Sequence, residues 1–339
     1  MKTETIRRII SVILLTALVL VFSLTTDSFM TAANITSLLR ECSVIGILSV
    51  GVTFVIITGG NNLSSGAMLG TVSMIIAQLY HSSPLSLIAI WAIAFCAALL
   101  LGFLNGYAVS ILMIPDFVAT LSVQMICQGL TYILAIRSST GAIVNETIRN
   151  ATILSLGEKF MGTGIYKVTI AFFLLAIIGQ IFLKKTKLGT YFYAIGSNRK
   201  SAEYSGISFV KIKMLAFILS AVCSFIGALF LMGRNGTTDV TSGVSLSFQA
   251  ISAAVIGGAS FAGGRGDMLG TVLGVLIMQV LKNGLLKYGI APQWQVILSG
   301  VVIVSMIVFD AFYSEYMQKR TTRRSAVEHS KKKAVTANE

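Results

Sequence analysis

The longest uncharged segment of the chain covers residues 42–115 and contains no Asp, Glu, Lys or Arg in 74 consecutive positions. A helix that crosses the hydrocarbon core of a bilayer needs about 20 apolar residues, so this segment is long enough to cross a membrane several times. Soluble domains carry about 25% charged residues, whereas this chain carries 12%, together with 55% hydrophobic residues. These features exclude an ordinary soluble domain and predict an integral membrane protein.

Turn-forming residues divide the uncharged segment into three spans. The breaks fall at 58–62, 80–84 and 114–116, where Gly, Asn, Ser or Pro interrupt the apolar sequence. The remaining apolar runs cover residues 9–24, 117–136, 168–183, 214–232, 244–262, 268–281 and 295–309. The sequence therefore predicts an all-α polytopic membrane protein with about ten transmembrane helices.

The distribution of Lys and Arg predicts which side of the membrane each loop faces, because positive residues in short loops stay in the cytoplasm. Ten spans then give a cytoplasmic N-terminus at 1–8, a transmembrane domain at 9–310 and a basic cytoplasmic tail at 311–339. Residues 184–213 form a basic cytoplasmic loop, and residues 137–167 form a long outside loop. The net charge of +13 is accounted for by these orientation signals and does not indicate a nucleic-acid partner.

Two glycine-rich segments form an internal repeat. Residues 59–72 and residues 257–272 both begin with Gly-Gly, end with Met-Leu-Gly-Thr-Val and lie at a break between apolar runs. Transporters are often built from two related halves whose glycine-interrupted segments mark the substrate route. The repeat glycines of interest are Gly59, Gly60, Gly66, Gly257, Gly258, Gly264 and Gly270. For each glycine taken singly, close helix packing is the alternative interpretation.

Sequence signatures of an energy source or a catalytic centre are missing from the chain. It has no Gly-x-x-x-x-Gly-Lys-Ser/Thr motif that would hold a nucleotide phosphate. Its acidic residues lie in predicted loops or near span ends, so the usual signature of a proton relay is lacking. Two histidines and four widely spaced cysteines give no catalytic or metal-binding pattern. The sequence therefore predicts a protein that is not an enzyme, binds no cofactor or metal itself and takes its energy from a partner.

The basic loop at 184–213 contains signals for one short helix. Ser197 or Asn198 can cap its start and Gly206 can end it. A helix of about two turns is not stable alone and needs a surface to dock against. From these residues, a site for a partner protein and a solvated connector at the headgroups remain equally open.

Three ordered segments resemble the permeases of ribose-type ABC transporters, the sugar-importer branch of the ribose and branched-chain amino acid permease family. Residues 194–207 resemble the cytoplasmic motif of these permeases. Residues 59–66 resemble their Gly-Gly-Ile-Asp-Leu-Ser-Val-Gly segment, and residues 257–271 resemble their second glycine-rich motif. The resemblance covers the chain from about residue 30 to about residue 310.

The resemblance implies an importer subunit of the bacterial inner membrane with several partners. These are a second permease subunit, expected to be another copy of this chain, a cytoplasmic ATPase that binds the ATP and an extracytoplasmic sugar-binding protein. The cargo would be a monosaccharide or a similar small polar solute. The residues to which the resemblance assigns coupling to the ATPase are Gly196, Asn198, Ala202, Glu203, Ser205 and Gly206.

The chain departs from the family pattern at Asn61 and Asn62, which replace Ile-Asp. An amide still hydrogen-bonds hydroxyl groups, so contact with a sugar is retained, but the inference of a usual pentose or hexose is weaker. Amides and hydroxyls within the apolar runs are the candidates for the solute pathway, namely Asn62, Ser64, Asn105, Gln124, Gln128 and Gln249. Each of them can instead form a hydrogen bond between helices.

Three other classes of function remain open at this stage. An ion-coupled secondary carrier would use discontinuous helices at the glycine segments to bind its coupling ion. A scramblase or membrane scaffold would transport no solute. An ABC permease for a non-sugar solute, such as autoinducer-2 or a nucleoside, would have the same architecture. The loop at 137–167 is the predicted surface for a binding protein, with a solvated connector as the alternative.

Overall fold

The computed structural model describes residues 2–135, 143, 148, 150–162, 164–241, 243–291, 293, 294, 297, 300, 301 and 304. Within this part of the chain, twelve α-helices are bounded and no β-strand occurs. The helices are α1 Lys2–Thr25, α2 Ala32–Ile57, α3 Ser65–Ser82, α4 Leu87–Ser110, α5 Asp116–Leu134, α6 Ala151–Leu156, α7 Lys167–Lys185, α8 Lys187–Ser197, α9 Arg199–Tyr204, α10 Phe209–Asn235, α11 Val244–Ile256 and α12 Met268–Lys287.

Seven of the described helices are long and apolar enough to cross a membrane, namely α1, α2, α4, α5, α7, α10 and α12. This confirms the predicted all-α polytopic membrane protein, while the count of about ten spans stays a prediction. The apolar runs at 168–183 and 268–281 are shorter than a full crossing, and flanking residues complete them, because α7 reaches Lys185 and α12 reaches Lys287. The last predicted span, at 295–309, lies largely outside the described residues.

One apolar run is shorter as a helix than the sequence suggested. The run at 244–262 forms α11 only as far as Ile256, because Gly257 ends the helix and Gly258 follows with φ +99°. Thirteen residues at 1.5 Å each extend about 20 Å, less than the hydrocarbon thickness of about 30 Å. The helix therefore ends within the protein, where the second glycine-rich segment begins.

Helix α2 lies at the centre of the bundle. It packs against α7, α10, α11 and α12, and most of its length is buried, as expected for a helix that is apolar on all sides. Its glycines allow close approach of the neighbouring helices: a Cβ added to Gly51 would lie 2.8 Å from Cβ of Cys223. In contrast, α1 is peripheral and largely exposed along its apolar length.

The two glycine-rich segments lie at the same end of the bundle. Residues 58–64 form the first glycine loop, between α2 and α3, and residues 257–267 form the second, between α11 and α12. The N–H of Gly264 donates to the carbonyl oxygen of Ile57 at 2.8 Å, which joins the two loops directly. Arg8 forms an ion pair with Asp267 of the second loop, so α1 begins at this same end. We call it the glycine-loop end.

The opposite end of the bundle holds α6 and the start of α2. Asn34 Nδ2 donates to Asn283 Oδ1 at 2.9 Å, which ties α2 to α12 there. Gly157, which follows α6, packs directly on the backbone of Gly233 near the end of α10. The described part of the predicted outside loop at 137–167 is therefore far from the glycine-loop end.

Candidate functional site

A pair of short helices, α8 and α9, follows α7 at the glycine-loop end. Thr186 caps α8 by accepting from the N–H of Gly189 at 3.1 Å, and Asn198 caps α9 by accepting from the N–H of Ser201 at 3.1 Å. Gly206 has φ +82°, and the N–H of Ile207 donates to the carbonyl of Ala202 at 3.0 Å, which closes α9. The predicted start and end of α9 agree with this geometry. The sequence did not predict α8.

Helix α9 buries one side and presents the other to the surroundings. Ala202 is buried, whereas Glu203, Ser205 and Gly206 are exposed. Tyr204 is 92% exposed. Such high exposure is unusual for a large aromatic side chain. Exposed aromatic residues are frequent anchors of protein–protein interfaces. The sequence reasoning missed Tyr204, although an aromatic residue within a short polar helix could have indicated it.

The end of α8 packs directly on both glycine loops. A Cβ added to Gly196 would collide with the carbonyl oxygen of Ile57 and would lie 2.5 Å from the N of Gly264. A Cβ added to Gly263 would lie 2.6 Å from the carbonyl oxygen of Gly196 and 2.7 Å from Cα of Gly59. We call Gly59, Gly196, Gly263 and Gly264 the glycine junction. Only residues without side chains allow three backbone segments to approach so closely.

The glycine junction unites two sets of residues that the sequence suggested separately. Gly196 comes from the coupling motif, whereas Gly59 and Gly264 come from the two copies of the repeat. Gly59 and Gly264 also have φ of +73° and +68°, a conformation that glycine adopts without strain. At Gly196, α8 is therefore in direct backbone contact with both glycine loops.

Four other repeat glycines, Gly60, Gly66, Gly257 and Gly270, lie in close contact with neighbouring elements. The N–H of Gly66 donates to Ser247 Oγ at 2.8 Å, which joins α3 to α11. Gly257 and Gly270 face each other across α11 and α12, where a Cβ on either would collide with the other's carbonyl oxygen. Gly60 lies against the side chains of Asp116 and Lys213. These contacts are consistent with the packing interpretation for these four positions.

Three of the six predicted pathway residues form one buried hydrogen-bond network. Ser64 Oγ donates to Asn62 Oδ1 at 2.7 Å, and Asn105 Nδ2 donates to Ser64 Oγ at 2.8 Å. Asn62 Nδ2 donates to Ser220 Oγ at 2.9 Å. The network thus links the first glycine loop to α4 and α10, and its members are enclosed in this conformation. Gln124 and Gln128 on α5 and Gln249 on α11 lie outside this network.

We expect Asn62→Ala to destabilise the protein more than Asn105→Ala. Asn62 bonds Ser220 Oγ and both the N–H and the hydroxyl of Ser64, whereas Asn105 bonds only Ser64 among protein oxygens. Each broken buried hydrogen bond costs about 1–3 kcal/mol. The midpoint of thermal unfolding in detergent should therefore decrease more for Asn62→Ala than for Asn105→Ala. Gln128→Ala is the matched control, because Gln128 is partly buried and lies outside the network. Equal shifts for the three variants would contradict the ranking.

A polar cavity of about 350 Å³ lies towards the opposite end of the bundle, between α2, α10, α11 and α12. Its polar lining comes from Glu41, Arg234, Gln279 and Lys282, and its remaining walls are aliphatic. Buried Gln279 donates from Nε2 to Glu41 Oε2 at 2.8 Å. Ionisable groups in the wall of an apolar bundle commonly mark a functional region. Sequence reasoning missed this group because its members lie near the ends of different spans.

Comparison with known proteins places this geometry in a family. The family model for the branched-chain amino acid transport system / permease component matches residues 34–307. The chain is 33% identical over 294 residues to "Ribose import permease protein RbsC" of Bacillus subtilis (strain 168), covering 86% of this chain and 89% of that protein.

Two further relatives are similar over most of their length. The chain is 31% identical over 294 residues to "Fructose import permease protein FrcC" of Rhizobium meliloti, covering 83% of this chain and 79% of that protein. It is 28% identical over 371 aligned positions to "Xylose transport system permease protein XylH" of Haemophilus influenzae (strain ATCC 51907 / DSM 11121 / KW20 / Rd), covering 91% and 97%. The matched residues include α9, the glycine junction and the Asn62 network. The chain therefore belongs to the branched-chain amino acid transport system / permease component family.

Proposed function

We propose that this chain is the membrane-spanning permease subunit of an ATP-binding-cassette importer that moves a monosaccharide or a similar small polar solute. The family and the sugar permeases among its relatives support this function. The structural observation that carries it is the position of α8 and α9. An exposed short helix is held at the glycine-loop end, and its neighbour packs without intervening side chains on both glycine loops.

The proposal assigns a partner to each end of the bundle. A cytoplasmic ATPase binds α9 around Ala202, Glu203, Ser205 and Gly206 and supplies the ATP site. The glycine-loop end is then cytoplasmic, and both termini of the chain lie on that side of the bacterial inner membrane. A sugar-binding protein docks at the opposite end, on the surface that includes the loop at 137–167. A second copy of the chain completes the pathway.

Transport in this proposal is a shift between two conformations that the partners bias. Closure of the ATPase moves α9, and α8 carries that displacement into both glycine loops through the glycine junction. The first loop holds Asn62, so its movement opens the Asn62 network. The cavity at Glu41 and Gln279 supports access from the opposite end, because carboxylate and amide groups hydrogen-bond hydroxyl groups of a solute.

Reconstitution into proteoliposomes with the ATPase and the binding protein tests this function. The assay measures uptake of labelled ribose, fructose, xylose, galactose, a nucleoside and autoinducer-2, with ATP on the ATPase side. We expect uptake of at least one sugar that requires both ATP hydrolysis and the binding protein. Uptake driven by a proton or sodium gradient without ATPase would instead identify a secondary carrier, and a lack of any uptake would favour a scramblase or scaffold.

A further inference from the structure

An ion pair between a buried lysine and a partly buried aspartate joins three elements at the glycine-loop end. Lys213 of α10 is 1% exposed, and its Nζ lies 2.8 Å from Oδ2 of Asp116, the first residue of α5. The same Nζ donates to the carbonyl oxygen of Thr58, the last residue before Gly59, at 3.4 Å. Lys and Asp are almost never buried unless they are paired. The pair thus connects α5, α10 and the first glycine loop.

The ion pair fills the space beside Gly60. A Cβ added to Gly60 would collide with the carboxylate of Asp116 and with the ammonium of Lys213. The backbone of the first glycine loop is therefore in direct contact with both charged groups. A movement of this loop and a movement of the ion pair are mechanically linked by that contact.

The first residue of α9 touches both segments that carry the ion pair. The guanidinium of Arg199 lies 3.7 Å from the ring centroid of Phe209, the first residue of α10 and one helical turn before Lys213. Arg199 Nη1 also lies 3.6 Å from Sδ of Met113, in the turn that leads into Asp116. Arg199 is held in this orientation by an ion pair with Glu203 at 3.2 Å.

Helix α5 shares one small apolar cluster with α10, which includes Val123, Cys127 and Ala221. It packs mainly on α3 and α4, whereas α10 packs mainly on α2, α3 and α4. The Asp116–Lys213 pair is therefore the direct polar link between the start of α5 and the helix that follows α9. Along its length α5 carries Gln124 and Gln128, two of the candidate pathway residues.

We propose that the Asp116–Lys213 ion pair is a positioning link that makes α5 follow the movement of α9. This inference rests on the proposed function, since it assigns the route by which an ATPase bound at α9 moves a pathway helix. Displacement of α9 reaches α10 through Arg199 and Phe209, and the ion pair pulls the start of α5 along. Without the pair, the ATPase still binds and hydrolyses ATP, but α5 no longer moves with α10.

The test is the amount of solute imported per ATP hydrolysed by the complete complex in proteoliposomes. We expect Asp116→Asn and Lys213→Met each to lower this ratio about 10-fold, within the range of coupling between sites, while binding of the ATPase is retained. Lys211→Met, which removes an exposed lysine two residues before Lys213 on the same helix, is the control and should keep the wild-type ratio.

Loss of the Asp116 charge leaves Lys213 buried and unpaired, so a single variant that fails to fold requires a second design. The double variant Asp116→Asn with Lys213→Met removes both charges, a change that buried ion pairs often tolerate. We expect it to fold, to bind the ATPase and to show the same drop of about 10-fold in solute per ATP. A wild-type ratio in the double variant, or single variants that lose only thermal stability, would overturn the inference.

This experiment separates the inference from the proposed function. If the wild-type complex imports no solute with ATP, the proposed function fails before any variant is compared. If the wild-type complex imports solute and the double variant imports as much per ATP, only the role of the ion pair fails.

Discussion

Replacing Gly206 by Arg is expected to weaken binding of the ATPase by about 10- to 100-fold, which corresponds to about 1.4–2.8 kcal/mol. Gly206 ends α9 with φ +82°, and nothing lies within 4 Å of the place where its Cβ would be. The permease can therefore accommodate the long side chain, whereas a partner that closes on α9 cannot. The measurement is the dissociation constant of the purified permease for its ATPase in nanodiscs.

Gly289→Arg is the matched control for this substitution. Gly289 has φ +73°, also has open space around its Cβ position and lies at the opposite end of the bundle, just after α12. Both variants carry the same backbone strain of about 1–2 kcal/mol that a left-handed conformation imposes on an L-residue. Loss of ATPase binding in both variants, or in neither, would show that α9 is not the docking helix.

Gly196→Ala is expected to lower the free energy of unfolding by about 1–3 kcal/mol and to abolish ATP-driven uptake. The added methyl group would collide with the Ile57 carbonyl oxygen and the Gly264 nitrogen, which are both backbone atoms. The collision can be relieved only if α8 moves away from the two glycine loops. Thermal unfolding and uptake by the reconstituted complex measure the two effects.

Gly129→Ala provides the control for the glycine junction. Gly129 lies in the middle of α5, and nothing lies within 4 Å of its Cβ position. Alanine favours a helix over glycine by about 1 kcal/mol, so this variant should be as stable as the wild type or more so. If Gly196→Ala unfolds at the same temperature as Gly129→Ala and supports normal uptake, the tight backbone contact at the glycine junction has no role in coupling.

Local signals in the sequence were sufficient for the long helices, but not for α8 or for every helix end. The uncharged segment indicated several spans, and Asn198 and Gly206 correctly marked the limits of α9. Helix α8 was missed, although its buried residues Gly189, Phe192 and Ile195 recur at the spacing of one helix face. The early end of α11 was missed because the apolar sequence continues past Gly257 and Gly258.

The assembly of the candidate site depends on contacts that no local pattern encodes. The repeat indicated that the glycine segments were related, but their meeting at Gly196 relies on backbone atoms and leaves no side-chain signal. Asn62 and Ser64 were recognisable as polar residues within apolar sequence. Their pairing with Asn105 and Ser220 required the packing of α4 and α10. The Asp116–Lys213 pair could not be predicted from the sequence for the same reason, because it depends on the packing of α5 and α10.

The measurement that tests the central claim most directly is site-specific cross-linking of α9 to the ATPase. Cys96 is exposed, whereas Cys42, Cys127 and Cys223 are buried, so Cys96→Ser gives a background without an accessible thiol. Ser205→Cys then places a single reactive thiol on α9, and Gly289→Cys places one at the opposite end as the control. We expect a cross-linked permease–ATPase product from position 205 and none from position 289. A product from position 289, or none from position 205 while the ATPase is bound, would contradict the account.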